Sequence, residues 1–166
     1  MDNSGGGLIV EGAAYATVRN CFVGGNTDDV VALDVTDSNA DVLYSTLLTG
    51  IEFEDVATLQ CTGVTDVTVR NSIVAMVGSE PEIDCTGVDV TYTATESGFA
   101  GTGNVMVSSV MPAWFVNLTS DFHLTTPPDA ILDAAEWQTG DPLVDIDGEL
   151  RPTENGTADV AGADIP

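Results

Sequence analysis

The run from Asp145 to Glu149 places a carboxylate at every second position, with Gly148 directly before the last one. Oxygen ligands that alternate around a glycine are typical of calcium-binding loops. The sequence therefore predicts a metal site on Asp145, Asp147 and Glu149, with calcium as the cofactor. The run lacks the length and the distal glutamate of the full calcium loop. A turn in which Asp side chains accept hydrogen bonds from backbone amides is the competing interpretation.

A second group of polar residues suits the binding of a polysaccharide. In each predicted strand, the residues that alternate with the inward apolar ones should face outward. Parallel strands stack about 4.8 Å apart, so these outward residues would form two continuous polar columns. The predicted ligand-binding residues are Asp34, Gln60 and Asp84 in one column, and Thr36, Thr62 and Thr86 in the other. A solvated face of Thr and Asp that binds nothing is the competing interpretation.

The three cysteines do not form a metal site, because the chain has no CxxC pair and one histidine. Cys61 and Cys85 occupy equivalent places in adjacent repeats, where strand spacing puts their Cα atoms about 5 Å apart, within disulfide range. Stacked side chains that point the same way also pack well as buried thiols, so the sequence leaves both states open. Cys21 has no partner by register. His123 alternates with apolar residues and is predicted to be a structural residue rather than a catalyst.

These candidate residues are positioned by a repeat of short strands. The first strand of each copy begins at Leu8, Leu33, Leu59 and Ile83, at spacings of 25, 26 and 24 residues. The predicted inward columns are Val10, Val35, Cys61 and Cys85 in the first strands, and Val18, Leu43, Val69 and Val90 in the second. Such a unit cannot bury its apolar side alone and must stack on its neighbours, so the period predicts a solenoid.

The charge balance excludes several partners. The 166 residues include 27 Asp and Glu, three Arg and no Lys, for a formal net charge of −24. Such a surface repels nucleic acid and anionic lipid, so neither is an expected partner. No run approaches the ~20 apolar residues of a membrane span, and insertion into a membrane is not expected. The composition resembles that of halophilic proteins, and an acidic secreted protein is the alternative.

The ends of the chain carry two further expectations. No positively charged start precedes an apolar stretch, so no signal peptide is predicted. The glycine-rich start favours a fragment of a longer chain. After residue 113 the period ends and prolines recur, which argues against long helices and central strands. We therefore predict parallel β-helix coils over 1–113 and a C-terminal capping segment over 114–166 that covers the end of the stack.

The coils, including VTVRNSIV (67–74) and EIDCTGVDVTY (82–92), resemble right-handed parallel β-helix proteins of the pectin-lyase-like superfamily. The C-terminal segment is similar to that of bacterial surface proteins called choice-of-anchor Q domain proteins. The residues that carry this second resemblance are DFHL (121–124), AILDA (130–134), DIDG (145–148), RP (151–152) and DVAGAD (159–164). The resemblance implies an all-β, right-handed parallel β-helix of about four coils with an irregular C-terminal cap, and an extracellular or cell-surface location.

The fold itself implies no activity, because it hosts lyases, hydrolases, adhesins and structural stalks. The favoured function is a non-catalytic stalk or adhesin module whose partners are polysaccharide or other surface proteins. The alternative is a fragment of a polysaccharide lyase or glycoside hydrolase that acts on acidic polysaccharide. Catalysis on uronic polymers needs a base with a shifted pKa, usually beside a cation, and the chain has no Lys.

Overall fold

The computed structural model describes residues 7–24, 30–49, 56–63, 65–76, 81–107 and 112–166. The only α-helix within these residues is α1 (Asp129–Leu132), and a 3-10 turn covers Pro112–Trp114. The strands are β1 (Leu8–Glu11), β2 (Tyr15–Arg19), β3 (Phe22–Gly24), β4 (Leu33–Thr36), β5 (Asn39–Leu43), β6 (Thr46–Leu48), β7 (Leu59–Thr62), β8 (Asp66–Arg70), β9 (Ile73–Ala75), β10 (Ile83–Asp84), β11 (Asp89–Thr91), β12 (Ala94–Thr95), β13 (Val105–Met106), β14 (Phe115–Asn117), β15 (Asp121–Leu124), β16 (Ala135–Trp137) and β17 (Thr157–Asp159).

Three parallel sheets are built from one strand of each successive repeat. The first sheet has the order β1-β4-β7-β10, the second β2-β5-β8-β11, and the third β3-β6-β9-β12-β13. Every strand pair within these sheets is parallel. The repeats therefore stack as a β-solenoid, which confirms the predicted all-β class and parallel coils. Two antiparallel pairs, β14-β15 and β16-β17, belong to the C-terminal segment.

The interior of the solenoid follows the predicted first column. Val10 lies beside Val35, and Val35 beside Cys61. The predicted second column is wrong at Leu43, because Val18 and Val69 both pair with Val42. Leu43 lies between Arg19 and Arg70 on the opposite, outer face.

The physical reason for this error is the corner that follows each strand of the second sheet. The residue after each strand has a left-handed backbone, with φ of 56°, 45°, 55° and 49° at Asn20, Tyr44, Asn71 and Tyr92. Asn adopts this conformation easily, but Tyr does not, and the cost is about 1–2 kcal/mol. Residue propensity therefore indicates the two corners at asparagines but not the two at tyrosines. Gly103 leaves room for the ring of Tyr92, because a Cβ there would lie 2.3 Å from that ring.

Both faces of the third sheet are buried along its strands β6, β9 and β12. Leu47 and Val74 face the solenoid interior, whereas Leu48 and Ile73 belong to a second apolar cluster. The tail, defined as residues 114–166, supplies most of that cluster, including Phe115, Phe122, Leu124, Ile131 and Trp137. Strands that are buried on both faces lack the alternation of half-buried strands, as the runs TLL and IVA of β6 and β9 show. The tail therefore lies along the side of the solenoid.

Residues that precede the tail contact the last coil of the second sheet. Asn104 Nδ2 donates a hydrogen bond to the carbonyl of Val90 at 2.9 Å, and Phe99 packs against the interior cluster. Residues 98–107 thus lie against this coil, and the capping role predicted for the tail stays a prediction. The boundary at 113/114 stays a prediction.

All three arginines join the solenoid to the tail. Arg19 Nη2 donates to the carbonyl of Gly140 at 2.7 Å. Arg70 pairs with the buried carboxylate of Asp141, with Nη1 to Oδ2 at 3.0 Å. Arg151, which belongs to the tail, places its guanidinium 4.1 Å from the ring centroid of Tyr44. The chain has no other Arg and no Lys, so every arginine takes part in the contact between the solenoid and the tail.

Cys61 and Cys85 form a disulfide, with their Cα atoms 4.7 Å apart. The bond joins β7 to the turn after β10, so it cross-links adjacent coils on the first sheet. Cys21 is free. The structure thus shows a disulfide, where the sequence left open either a disulfide or two buried thiols.

Reduction of this disulfide is expected to lower the free energy of unfolding by about 3.5 kcal/mol. The bond closes a loop with a sequence separation of 24 residues, and the chain-entropy model assigns that amount to a loop of this size. Urea unfolding with and without a thiol reductant measures the difference, and Cys21→Ser should leave it unchanged. Equal midpoints in oxidised and reduced protein would contradict the expectation.

Candidate functional site

The predicted polar columns lie side by side on the outer face of the first sheet. Asp34 and Asp84 both pair with Gln60, and Thr36 pairs with Thr62. Thr86 follows β10 in a turn and is exposed. The structure therefore brings together five of the six predicted residues as one surface, and Thr86 lies beyond the last strand. The binding of a ligand to them stays a prediction.

A pocket that the sequence analysis missed lies on the outer face of the second sheet. It has a volume of about 160 Å³ and is lined by Asp41, Val42, Leu43, Thr68 and Arg70. The predicted register places Leu43 in the interior, so it does not indicate a pocket on the outer face. The left-handed corners at Asn20 and Asn71 are the sequence signal that could have revealed it, because each strand of this sheet ends one residue before its corner.

One lining residue of the pocket, Asp41, has a carboxylate that accepts hydrogen bonds from two hydroxyl groups. Thr68 Oγ1 donates to Asp41 Oδ1 at 2.6 Å, and the Tyr15 hydroxyl donates to Asp41 Oδ2. The hydrogen bond to Asp41 raises the pKa of the Tyr15 hydroxyl above its ordinary value. The Tyr15 side chain is mostly exposed. The site thus offers an aromatic ring beside a hydrogen-bonding carboxylate.

Arg70 closes one side of the pocket, and the tail holds it in place. Its Nη1 donates to Asp141 Oδ2 and, at 3.4 Å, to the carbonyl of Glu136. The neighbouring Asn71 Nδ2 donates to the same carbonyl at 3.0 Å. A guanidinium with fixed partners provides a stable wall rather than a mobile group.

The size of the pocket limits what it can hold. Enclosed small-molecule sites typically measure about 300–1,000 Å³. The volume here is about half the lower end of that range. The pocket would therefore take one part of a ligand that extends along the sheet surface.

The predicted calcium residues occupy a turn of the tail. Asp145 is buried, and its Oδ1 accepts hydrogen bonds from the amides of Asp147 at 3.0 Å and Glu149 at 2.8 Å. Its Oδ2 accepts from the amide of Ile165 at 3.0 Å. The interpretation as a turn held by backbone hydrogen bonds thus accounts for Asp145. Asp147 and Glu149 are exposed, and the calcium site stays a prediction.

Comparisons with known proteins add no family to this description. No family model matches the chain, and neither a curated protein nor a solved structure matches it. Among the described residues, no helix has the length and apolar character needed to span a membrane. The resemblance to pectin-lyase-like and choice-of-anchor Q domain proteins accordingly remains a hypothesis.

Proposed function

We propose that this chain is a non-catalytic module of an extracellular or cell-surface protein, a stalk or adhesin that binds neutral carbohydrate. The observation that carries the proposal is the arrangement of Tyr15, Asp41 and Thr68 on the second sheet. The proposal includes about four coils, which the repeat spacing indicates, and a right-handed solenoid, which the family resemblance implies.

The chemistry of the pocket suits a sugar. A sugar ring presents hydroxyl groups that donate hydrogen bonds, and the oxygens of Asp41 and Thr68 keep lone pairs that can accept them. An exposed tyrosine offers a flat apolar face next to them. The net charge of −24 repels polyanions, which favours neutral glycans over uronic polymers.

The alternative, a lyase or hydrolase fragment that acts on acidic polysaccharide, has less support. Such an enzyme would use cationic groups to bind the substrate carboxylates and to stabilise negative charge in the transition state. Arg19 and Arg70 lie on the second sheet, but both guanidinium groups already donate to the tail. Arg70 and Arg151 are paired with aspartates, so the exposed Arg19 is the one guanidinium that could meet a substrate carboxylate.

Binding to a panel of neutral and uronic oligosaccharides, measured by calorimetry or by NMR shifts, tests this proposal. We expect a neutral glycan to bind, and Thr68→Val to weaken it about tenfold, because the variant keeps the side-chain shape and removes one hydrogen bond. Thr36→Val makes the same change on the first sheet and should leave the affinity unchanged.

Two outcomes would overturn the proposal. The first is preferential binding and cleavage of a uronic polymer, which would favour the enzyme. The second is a loss of affinity in Thr36→Val with none in Thr68→Val, which would move the site to the predicted columns of the first sheet.

A further inference from the structure

Three segments of the tail bring His123, Asp147 and Asp164 together. His123 lies on β15, Asp147 in the turn after β16, and Asp164 near the C-terminus. A ring nitrogen of His123 and one carboxylate oxygen of each Asp all lie within 4.8 Å of one another. The cluster exists only when the tail is folded, because the three residues are far apart in sequence.

The imidazole of His123 is held in a fixed orientation. Asp121 bonds to Nδ1, and Nε2 lies 2.9 Å from Asp147 Oδ2. A histidine that binds a metal typically has its other ring nitrogen held in this way by a carboxylate or carbonyl group. Asp121 thus directs Nε2 into the cluster.

Asp164 adds a buried carboxylate with one oxygen free. The residue is 4% exposed. Its Oδ2 accepts a hydrogen bond from the Leu124 amide at 2.5 Å, and no donor among the described residues bonds to the other oxygen. Asp145, also buried, lies close enough to act on Asp164 electrostatically. A buried carboxylate with other carboxylates nearby is costly unless a cation offsets the charge.

We propose that His123, Asp147 and Asp164 bind a divalent transition-metal ion of the zinc class. One imidazole and two carboxylates suit Zn²⁺, whereas calcium takes oxygen ligands alone. Tetrahedral zinc ligands at about 2.0–2.2 Å from the metal lie about 3.4 Å apart, so the contact between His123 and Asp147 needs to open only slightly. Water would take the fourth position. Of the predicted calcium residues, this site uses only Asp147, and it shares no residue with the carbohydrate pocket.

Titration of the metal-free full chain with Zn²⁺ and Co²⁺ tests the proposal. The titrations are run at about pH 8, where protons compete less with the metal for the imidazole, and in about 0.5 M NaCl to screen the other carboxylates. We expect one equivalent to bind, the visible bands of tetrahedral cobalt to appear, and the Tm to rise by about 5 °C or more at a hundredfold excess of Zn²⁺ over its Kd.

Asp147→Asn is the decisive variant, because this side chain is exposed and the change should not disturb the fold. It should weaken zinc binding at least tenfold and abolish the cobalt bands. Glu149→Gln removes the same charge from the same turn and should leave both unchanged. The proposed site would be overturned if Zn²⁺ did not bind with one equivalent, or if Mg²⁺ raised the Tm as much as Zn²⁺. Equal losses of zinc affinity in Asp147→Asn and Glu149→Gln would also overturn it.

Discussion

Replacement of Val69 by Asp is expected to abolish cooperative folding. Val69 is fully buried and lies between Val42 and Val90 in the interior of the solenoid. An aspartate there would be surrounded by apolar side chains without a cationic partner. The cost of an unpaired buried carboxylate is several kcal/mol, which is comparable with the total stability of a domain, about 5–15 kcal/mol.

Thr68→Asn is the matched control for this prediction. Thr68 neighbours Val69 on β8 but faces outward, so a polar replacement should cost only about 1 kcal/mol, from the lost hydrogen bond to Asp41. Circular dichroism and urea unfolding of both variants give the comparison. Similar losses in the two proteins would mean that the inner and outer faces are wrongly assigned.

Replacement of Arg151 by Met is expected to cost about 3–5 kcal/mol. The Arg151 side chain is buried, and its Nη1 lies 3.2 Å from Asp159 Oδ2. It also donates to the carbonyls of Val160 at 3.3 Å and Gly162 at 2.9 Å, and it covers the ring of Tyr44. The variant would leave Asp159 buried without its ion-pair partner, and this remaining charge is the main cause of the loss.

The double variant Arg151→Met/Asp159→Asn separates this cause from lost packing. Removal of the second charge should restore part of the stability, so the double variant should unfold at a higher urea concentration than Arg151→Met alone. If the losses of stability in Arg151→Met and Asp159→Asn simply add in the double variant, the ion pair does not account for the effect.

The strands of the first sheet were predictable because their residues alternate cleanly. Leu33, Leu59 and Ile83 each begin a strand, and the pairing follows the predicted register. The second sheet was harder because the spacing within the repeat varies by a few residues. Tyr44 and Tyr92 occupy left-handed corners that suit Asn or Gly, so residue propensities do not predict these corners.

The candidate sites depend on contacts that no local pattern encodes. The sequence pattern predicts Leu43 to be an interior residue. Only the left-handed corner at Tyr44 shows that Leu43 faces outward and lines the pocket. His123 and Asp164 meet only because the tail folds back on itself. The Asp145 motif was visible, but its carboxylate stabilises the turn through backbone amides, and only the structure shows how its oxygens are shared.

The position of the tail has a consequence for how the chain comes apart and how it is made. An ordinary solenoid couples only neighbouring repeats, so it can fray one coil at a time from an end. Here the tail bonds to Arg19, Thr46 and Arg70, which belong to three successive coils, and it acts as a lengthwise clasp. During synthesis the clasp emerges after the coils, so the outer face of the third sheet stays uncovered until then. In that interval, the mutual repulsion of a strongly acidic chain would keep half-finished molecules from sticking to one another.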